Sequence, residues 1–147
     1  MAQDTKVNIK QILDENFNTP IIKSLSTNND KIFSLLFDND FGAAVNLSNK
    51  WGITPLLAAV MYDNKINIIE LLLEKGAGVN KQDIINEMTA LNIAVDYKEL
   101  DIVKLLLEKG ADPDIPDNNN VTPIYRAVEI GLYDIAEELL KMGADPN

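Results

Sequence analysis

The chain has 147 residues, with 13 Lys and Arg against 23 Asp and Glu, a formal net charge of -10, and neither His nor Cys. Without those two residue types it can form no disulfide, thiol nucleophile, imidazole base or zinc site of the usual nitrogen and sulfur ligands. Because 46% of the residues are hydrophobic, the acidity does not indicate disorder, and the length suits one domain with a real core.

The amino terminus and the apolar stretches argue against export and membrane insertion. Residues 1–16 alternate polar and apolar side chains, unlike the unbroken apolar core of a secretory signal. The densest apolar stretch, residues 66–73, is interrupted by Asn67 and Glu70 and is far shorter than the roughly 20 residues of a membrane span. We therefore expect a cytoplasmic protein, without excluding export by another route. The negative charge also argues against nucleic acid and anionic membranes as partners.

The chain repeats itself with a period of 33 to 35 residues. Each copy opens with Thr and an apolar segment, and closes with a leucine-rich segment followed by Gly-Ala. The copies open at Thr54, Thr89 and Thr122 and close at Gly76, Gly110 and Gly143. A weaker copy opens at Thr19 and closes near Gly42. The repeat predicts one structural unit used four times.

Each unit predicts two helices followed by a loop. The Thr residues suit the N-cap, and Pro20, Pro55 and Pro123 suit the first helical position, where the missing N–H costs nothing. The second helix carries apolar residues at helical spacing and ends at a Gly suited to the left-handed position. Residues 112–120 are typical of the turn-forming segments between units. Such short helices are marginal alone, so neighbouring units must stabilise each other.

The T-P-L start, the L-L-L-x-x-G-A-D-x-N end and the period resemble the ankyrin repeat family over residues 17–147. The resemblance implies an all-α solenoid of stacked helix-turn-helix units with hairpin or loop fingertips. It also implies non-enzymatic binding of another protein on the concave face formed by the fingertips and inner helices. We place the units at 17–51, 52–86, 87–119 and 120–147, after a leader at 1–16 that is either a capping helix or a frayed tail.

The chain departs from the family pattern at two places. Where the family usually has His after T-P-L, the four units carry Ile22, Leu57, Asn92 and Tyr125, of which only Asn92 keeps a comparable hydrogen-bonding group. In addition, the loop from Gly76 to Thr89 is one residue longer than the loop from Gly110 to Thr122. We therefore expect a distorted fingertip around residues 84–87.

The last unit carries charge where earlier units are apolar. Arg126 aligns with Ala58 and Ile93, and Glu138 aligns with Leu71 and Leu105. Because a buried charge is costly, these two residues predict a terminal cap. Against the cap, the closing residues 143–147 lead into another repeat in the family. The chain could thus be a piece of a longer protein in which the repeats act as a spacer, and this is our second functional hypothesis.

Carboxylates are the only plentiful acid–base groups, and their spacing gives little support for chemistry. Asp112, Asp114 and Asp117 lie close together, but a calcium loop of the EF-hand type needs a ligand where Pro116 stands. We expect these residues to form turns, with no catalytic residue, metal site or cofactor. A carboxylate enzyme that binds a divalent ion at residues 112–117 is the third hypothesis.

The repeat geometry predicts a binding surface at the ends of the inner helices and at the bases of the fingertips. Aromatic side chains and Met there are typical of interface anchors, and acidic residues form a rim. The predicted surface comprises Trp51, Ile53, Met61, Tyr62, Met88, Asp96, Tyr97, Val121, Glu129 and Ile130. We expect a monomer that binds a protein with basic or apolar anchors. The alternative is that the apolar residues pack the hairpin bases and the tyrosines cover helix ends.

The leucines of the second helices are predicted to form the core. This set contains Leu71, Leu72, Leu105, Leu106, Leu139 and Leu140.

Overall fold

The computed structural model describes residues 18–39, 42, 44–62 and 66–147, so the predicted leader at 1–16 lies outside the described residues. Within them the chain forms eight α-helices and no strand, as the all-α prediction required. The helices come in pairs of seven and nine residues. They are α1 (Pro20–Ser26), α2 (Asp30–Asp38), α3 (Pro55–Met61), α4 (Ile66–Glu74), α5 (Ala90–Asp96), α6 (Leu100–Glu108), α7 (Pro123–Glu129) and α8 (Tyr133–Lys141). Each predicted unit contains one pair.

The first helix of every pair begins at the predicted Thr. Thr19, Thr54, Thr89 and Thr122 are N-caps, and each hydroxyl accepts a hydrogen bond from the backbone N–H three residues later, at 3.2 to 3.4 Å. These bonds satisfy N–H groups that have no partner inside the helix. The prediction of helix starts is confirmed, and the inner helices α1, α3, α5 and α7 therefore start in the same register.

The last three outer helices, α4, α6 and α8, end at the predicted glycines. Gly76, Gly110 and Gly143 have φ of 90 to 92°, a conformation that costs glycine little. The Ala that follows each glycine donates a backbone hydrogen bond to the Leu five residues before it, at 2.9 to 3.0 Å. This pattern closes the helix and turns the chain toward the next unit.

The helix pairs stack in a line. α1 packs on α3, α3 on α5 and α5 on α7, while α4 packs on α6 and α6 on α8. The interfaces share one continuous apolar core that contains fully buried residues from every unit, such as Ile21, Leu56, Leu91 and Leu139. The α5–α6 pair is covered on both sides, whereas the α7–α8 pair is covered by a described neighbour on one side only.

Polar side chains form a second, repeated link between units. The Oδ1 atoms of Asn46, Asn80 and Asp114 accept hydrogen bonds from backbone N–H groups of the following unit, at 2.7 to 2.8 Å. The donors are Gly78, Asp112 and Asp145. We call this series the Asx ladder. Because its acceptors recur every 34 residues, it holds successive units in one register.

Two of the six predicted core leucines are exposed. Leu72, Leu105, Leu106 and Leu139 are buried as predicted, but the prediction is wrong for Leu71 and Leu140. Successive helical residues point about 100° apart, so the neighbour of an inward-facing leucine lies at the edge of the apolar face. There its burial depends on which element covers that edge.

The prediction of a polar cap is wrong for the outward face of the last unit. Arg126 bonds to the preceding unit through Asp96, and Glu138 bonds to Lys141 of its own helix. Apolar side chains of the last unit, Val128 and Leu140, are instead exposed. The polar residues Arg126 and Glu138 therefore do not predict the polarity of the outward face of the last unit.

Leu139 is buried and the adjacent Leu140 is half exposed, so truncating each to Ala should lower the free energy of unfolding by different amounts. Leu139→Ala should lower the free energy of unfolding by about 2 to 5 kcal/mol because it removes a fully buried side chain and leaves a cavity. Leu140→Ala, at a half-exposed position, should cost less than about 1 kcal/mol. Urea denaturation followed by circular dichroism measures both values, and equal costs would contradict this description of the core.

Candidate functional site

Three fingertip loops connect the helix pairs and stand beside the inner helices. Backbone hydrogen bonds close them from Asn49 to Ile53, from Asp83 to Met88 and from Asp117 to Val121, at 3.0 to 3.2 Å. We call them the first, second and third fingertip loops. The second contains one more residue than the others between its closing pair, so the extra residue expected at 84–87 lies inside this turn.

Asp83 organises the second fingertip loop. Its Oδ1 accepts hydrogen bonds from the backbone N–H groups of Ile85 and Asn86, both at 2.8 Å, and its Oδ2 accepts one from Met88 at 3.0 Å. Asn49 and Asp117 occupy the corresponding positions and accept two such bonds each. The carboxylate of Asp83 thus uses both oxygens to hold the longer turn. The side chain is largely buried, and these hydrogen bonds satisfy it there.

Backbone contacts tie the fingertip loops to one another. Ile84 N–H donates to the carbonyl of Trp51 at 2.9 Å, and Asn118 N–H donates to the carbonyl of Asn86 at 2.9 Å. Gly52 permits the first contact, because a Cβ atom there would lie 3.0 Å from Cγ2 of Ile84, and because its φ is +73°. The three loops therefore form one connected rim.

A pocket of about 230 Å³ lies between the α3 and α5 inner helices and the first two fingertip loops. Its wall is mostly apolar, with two carboxylates and one amide. The lining residues are Ile53, Met61, Asp83, Ile85, Asn86, Met88, Ile93, Asp96 and Tyr97. The pocket thus joins residues of two successive units.

The structure brings together five of the ten residues predicted for the binding surface. These five, which line the pocket, are Ile53, Met61, Met88, Asp96 and Tyr97. The other five, outside the pocket wall, are Trp51, Tyr62, Val121, Glu129 and Ile130. Tyr62 and Tyr97 end the inner helices of successive units, and their exposed fractions are 44% and 50%.

Sequence reasoning missed four residues of the pocket. They are Asp83, Ile85, Asn86 and Ile93. Three of them belong to the second fingertip loop, whose extra residue was visible in the sequence as the longer Gly76 to Thr89 interval. That interval could have directed attention to the loop, but it does not indicate which of its side chains face the inner helices.

Arg126 connects the two carboxylates of the predicted acidic rim. Its Nε donates to Oδ1 of Asp96 at 2.7 Å and its Nη1 donates to Oε2 of Glu129 at 2.8 Å. The hydrogen bond to Asp96, followed by that to Glu129, raises the pKa of the Arg126 guanidinium above its ordinary value. The three side chains together carry one net negative charge instead of two, so the rim is less acidic than the sequence indicates.

Asn92 stands where the family usually has His, and its side chain forms hydrogen bonds to two parts of the backbone. Its Oδ1 accepts from the backbone N–H of Thr89 at 2.8 Å, and its Nδ2 donates to the carbonyl of Ile115 at 3.2 Å. The side chain thus joins the start of α5 to the loop that leads into the next unit. This contact agrees with the expectation that Asn92 keeps a comparable hydrogen-bonding role.

The aspartates of residues 112–117 make turn and ladder contacts. Asp112 accepts from Asp114 N–H at 2.9 Å, and Asp117 accepts from the N–H groups of Asn119 and Val121. Among the residues that the structure describes, no three His, Cys, Asp or Glu side chains are placed to hold a metal ion. None of the described helices combines the length and apolar character needed to cross a membrane.

Comparison with known proteins agrees with this architecture. The family model for ankyrin repeats (3 copies) matches residues 2–83 and 77–147. The chain is 43% identical over 61 residues to the ankyrin repeat protein FPV233 of Fowlpox virus (strain NVSL), which covers 42% of this chain and 12% of that protein. It is 36% identical over 84 residues to FPV024 of the same virus, covering 57% of this chain and 14% of that protein.

The chain belongs to the ankyrin repeat family. Ankyrin repeats generally mediate binding to other proteins, and the family is typically non-enzymatic. The matched regions span only about one-eighth of the length of the two viral relatives.

The bonding of Asp83 predicts a specific loss on mutation. Asp83→Ala should lower the free energy of unfolding by about 1 to 3 kcal/mol, because three backbone N–H groups lose their acceptor. Asp112→Ala is the control, since this exposed carboxylate accepts one turn bond and should cost less than about 1 kcal/mol. Thermal or urea denaturation measures the difference, and an Asp83→Ala variant as stable as Asp112→Ala would show that the carboxylate does not hold the loop.

Proposed function

We propose that this protein binds another protein by inserting an apolar side chain of the partner into the pocket between units two and three. The observation that carries the proposal is the 230 Å³ pocket itself, which is walled by Met61, Met88, Ile85 and Tyr97. Binding is by shape and polarity, with no covalent step. The pocket lies on the surface that the family resemblance implies to be the concave one.

The chemistry of the wall favours a bulky apolar anchor. Met side chains are flexible and polarisable, so Met61 and Met88 can adjust to aliphatic or aromatic groups. Tyr97 is half exposed and offers a large rigid surface at little entropic cost. Met and Tyr are also enriched at protein interfaces, and Tyr is enriched at their hot spots. A volume of 230 Å³ suits one large side chain better than a whole helix.

The carboxylates of the pocket wall already have bonding partners, which limits the affinity that a basic side chain of the partner protein can add. Asp83 already accepts three backbone hydrogen bonds, and Asp96 is bonded to Arg126. A Lys or Arg of the partner that approaches Asp96 would therefore meet a carboxylate whose charge is already balanced by Arg126. The apolar anchor should thus supply most of the affinity, and the net charge of -10 should mainly favour the encounter with basic partners.

A random peptide library tests this proposal, because selection itself reports which side chains the pocket binds. Peptides selected from a phage-displayed library against the wild-type chain should share a bulky apolar residue. The double variant Tyr62→Ala/Tyr97→Ala should bind them about 10-fold or more weakly, as expected when interface anchors are truncated. Of the two single variants, Tyr97→Ala should account for most of the loss. Fluorescence polarisation with the synthetic peptides measures each affinity.

The chain contains matched controls for this experiment. Tyr125 and Tyr133 are exposed tyrosines that do not line the pocket. Tyr125→Ala and Tyr133→Ala should therefore keep wild-type affinity for the same peptides. If Tyr97→Ala binds as tightly as these controls, or if the controls lose as much as Tyr97→Ala, the pocket is not the binding site.

A further inference from the structure

Arg126 is the only arginine of the chain, and it connects the fourth unit to a pocket that the fourth unit does not line. Its Nε donates to Oδ1 of Asp96 at 2.7 Å, and Asp96 belongs to the pocket wall. Its Nη1 donates to Oε2 of Glu129 at 2.8 Å. We call these three side chains the charge triad. Of its members, Asp96 lines the pocket, whereas Arg126 and Glu129 lie outside the wall.

The positions of this ion pair are apolar one unit earlier. When the units are aligned from their N-cap threonines, Asp96 corresponds to Met61 and Arg126 corresponds to Ile93. Met61 and Ile93 both line the pocket between units two and three. The same two positions are therefore apolar at one unit boundary and ionic at the next. Asp96 takes part in both, because it lines the pocket and also binds Arg126 of the following unit.

Arg126 determines how much of the Asp96 charge an occupant of the pocket meets. An arginine stays protonated at any ordinary pH, so the guanidinium opposes the carboxylate permanently. The charge triad carries one net negative charge, and without the guanidinium it would carry two. The side chains of Arg126 and Asp96 are 41% and 30% exposed, so water and salt weaken this interaction without abolishing it. Removal of Arg126 therefore makes the pocket wall more acidic.

We propose that Arg126 sets the selectivity of the pocket between apolar and basic anchors, acting from the fourth unit through Asp96. This inference rests on the function proposed above for the pocket. While the guanidinium balances Asp96, a lysine anchor loses hydration and gains little at the wall, so apolar anchors bind better. Without the guanidinium, the carboxylate attracts a lysine anchor. Glu129 acts in the opposite direction, because its charge offsets that of the same guanidinium.

Two peptides that differ in one charged group test the proposal. One peptide selected from the library on the wild-type chain is made twice, with its apolar anchor replaced by norleucine and by lysine. Norleucine has the hydrocarbon chain of lysine without the ammonium group. Fluorescence polarisation measures both affinities, and the readout is the ratio of the lysine affinity to the norleucine affinity. The wild-type chain should prefer norleucine.

Two substitutions in the charge triad should move this ratio in opposite directions. Arg126→Gln should raise it about 5-fold, because Asp96 and Glu129 lose their cation. Glu129→Gln should lower it by a smaller factor, about 2-fold, because Glu129 is half exposed and does not line the pocket. Arg126→Lys keeps the charge and should lie between wild type and Arg126→Gln. Both shifts should shrink as the salt concentration rises.

The chain contains a matched control for total charge. Lys104→Gln changes the net charge by the same amount as Arg126→Gln, but Lys104 is an exposed residue of the outer helix α6 and does not line the pocket. This variant should keep the wild-type ratio. Asp96→Asn tests the route of the effect. In that background Arg126→Gln should shift the ratio much less, because the carboxylate of the pocket wall is gone. Circular dichroism shows whether each variant is folded.

Three results would overturn the proposal while leaving the pocket as the binding site, which a loss of affinity in Tyr97→Ala establishes. In the first, Arg126→Gln leaves the ratio unchanged. In the second, Arg126→Gln and Glu129→Gln weaken both peptides equally, which would mean that the charge triad only supports the packing of units three and four. In the third, Lys104→Gln shifts the ratio as much as Arg126→Gln. If Tyr97→Ala instead binds as tightly as wild type, both proposals are wrong.

Discussion

The packing of each helix pair against its neighbours is the interaction on which the rest of this structure depends. The helices have seven or nine residues, lengths at which an isolated helix in water is not stable. Thr caps and Gly ends define where the helices start and stop, but they contribute only about 1 kcal/mol each. The larger contribution comes from apolar side chains buried between successive pairs, such as Leu91 and Leu106. Stability is therefore distributed along a line of interfaces.

The candidate binding pocket is a consequence of the same stacking. Its wall combines Met61 from one unit with Met88 and Tyr97 from the next, so it exists only while units two and three are packed together. The fingertip loops add a polar frame, in which Asp83 holds the turn that carries Ile85. Stacking thus supplies both the stability and the site, and a substitution in an interface can affect both.

Local signals in the sequence predicted the fold well. Thr followed by Pro, and Gly after a leucine-rich run, mark helix ends by rules that do not involve neighbouring units, and the structure confirms them. The wrong predictions concern residues whose burial or bonding partner is set by packing between helix pairs. Helical spacing placed Leu139 and Leu140 in the core together, but Leu140 lies at the edge of the apolar face and is half exposed. Arg126 was expected to cap the chain, but it reaches back to Asp96 across a unit boundary.

The site was only half predictable for a related reason. Positions at the ends of inner helices follow the repeat, so Met61, Asp96 and Tyr97 could be assigned by alignment. Ile85 and Asn86 lie in a loop with one residue more than its counterparts, where alignment no longer tells which side chain faces the inner helices. The repeat pattern also predicted Trp51 as part of the binding surface, but Trp51 does not line the pocket.

Native-state hydrogen exchange resolved to single amides tests most directly whether neighbour packing carries the stability. If neighbour packing carries the stability, the amides of α5 and α6, which are covered by described neighbours on both sides, exchange most slowly. Those of α7 and α8 should exchange faster, although the helix lengths are the same and both inner helices start at a Thr N-cap. Equal protection of the two pairs would contradict the claim and would indicate one cooperative core instead of a line of interfaces.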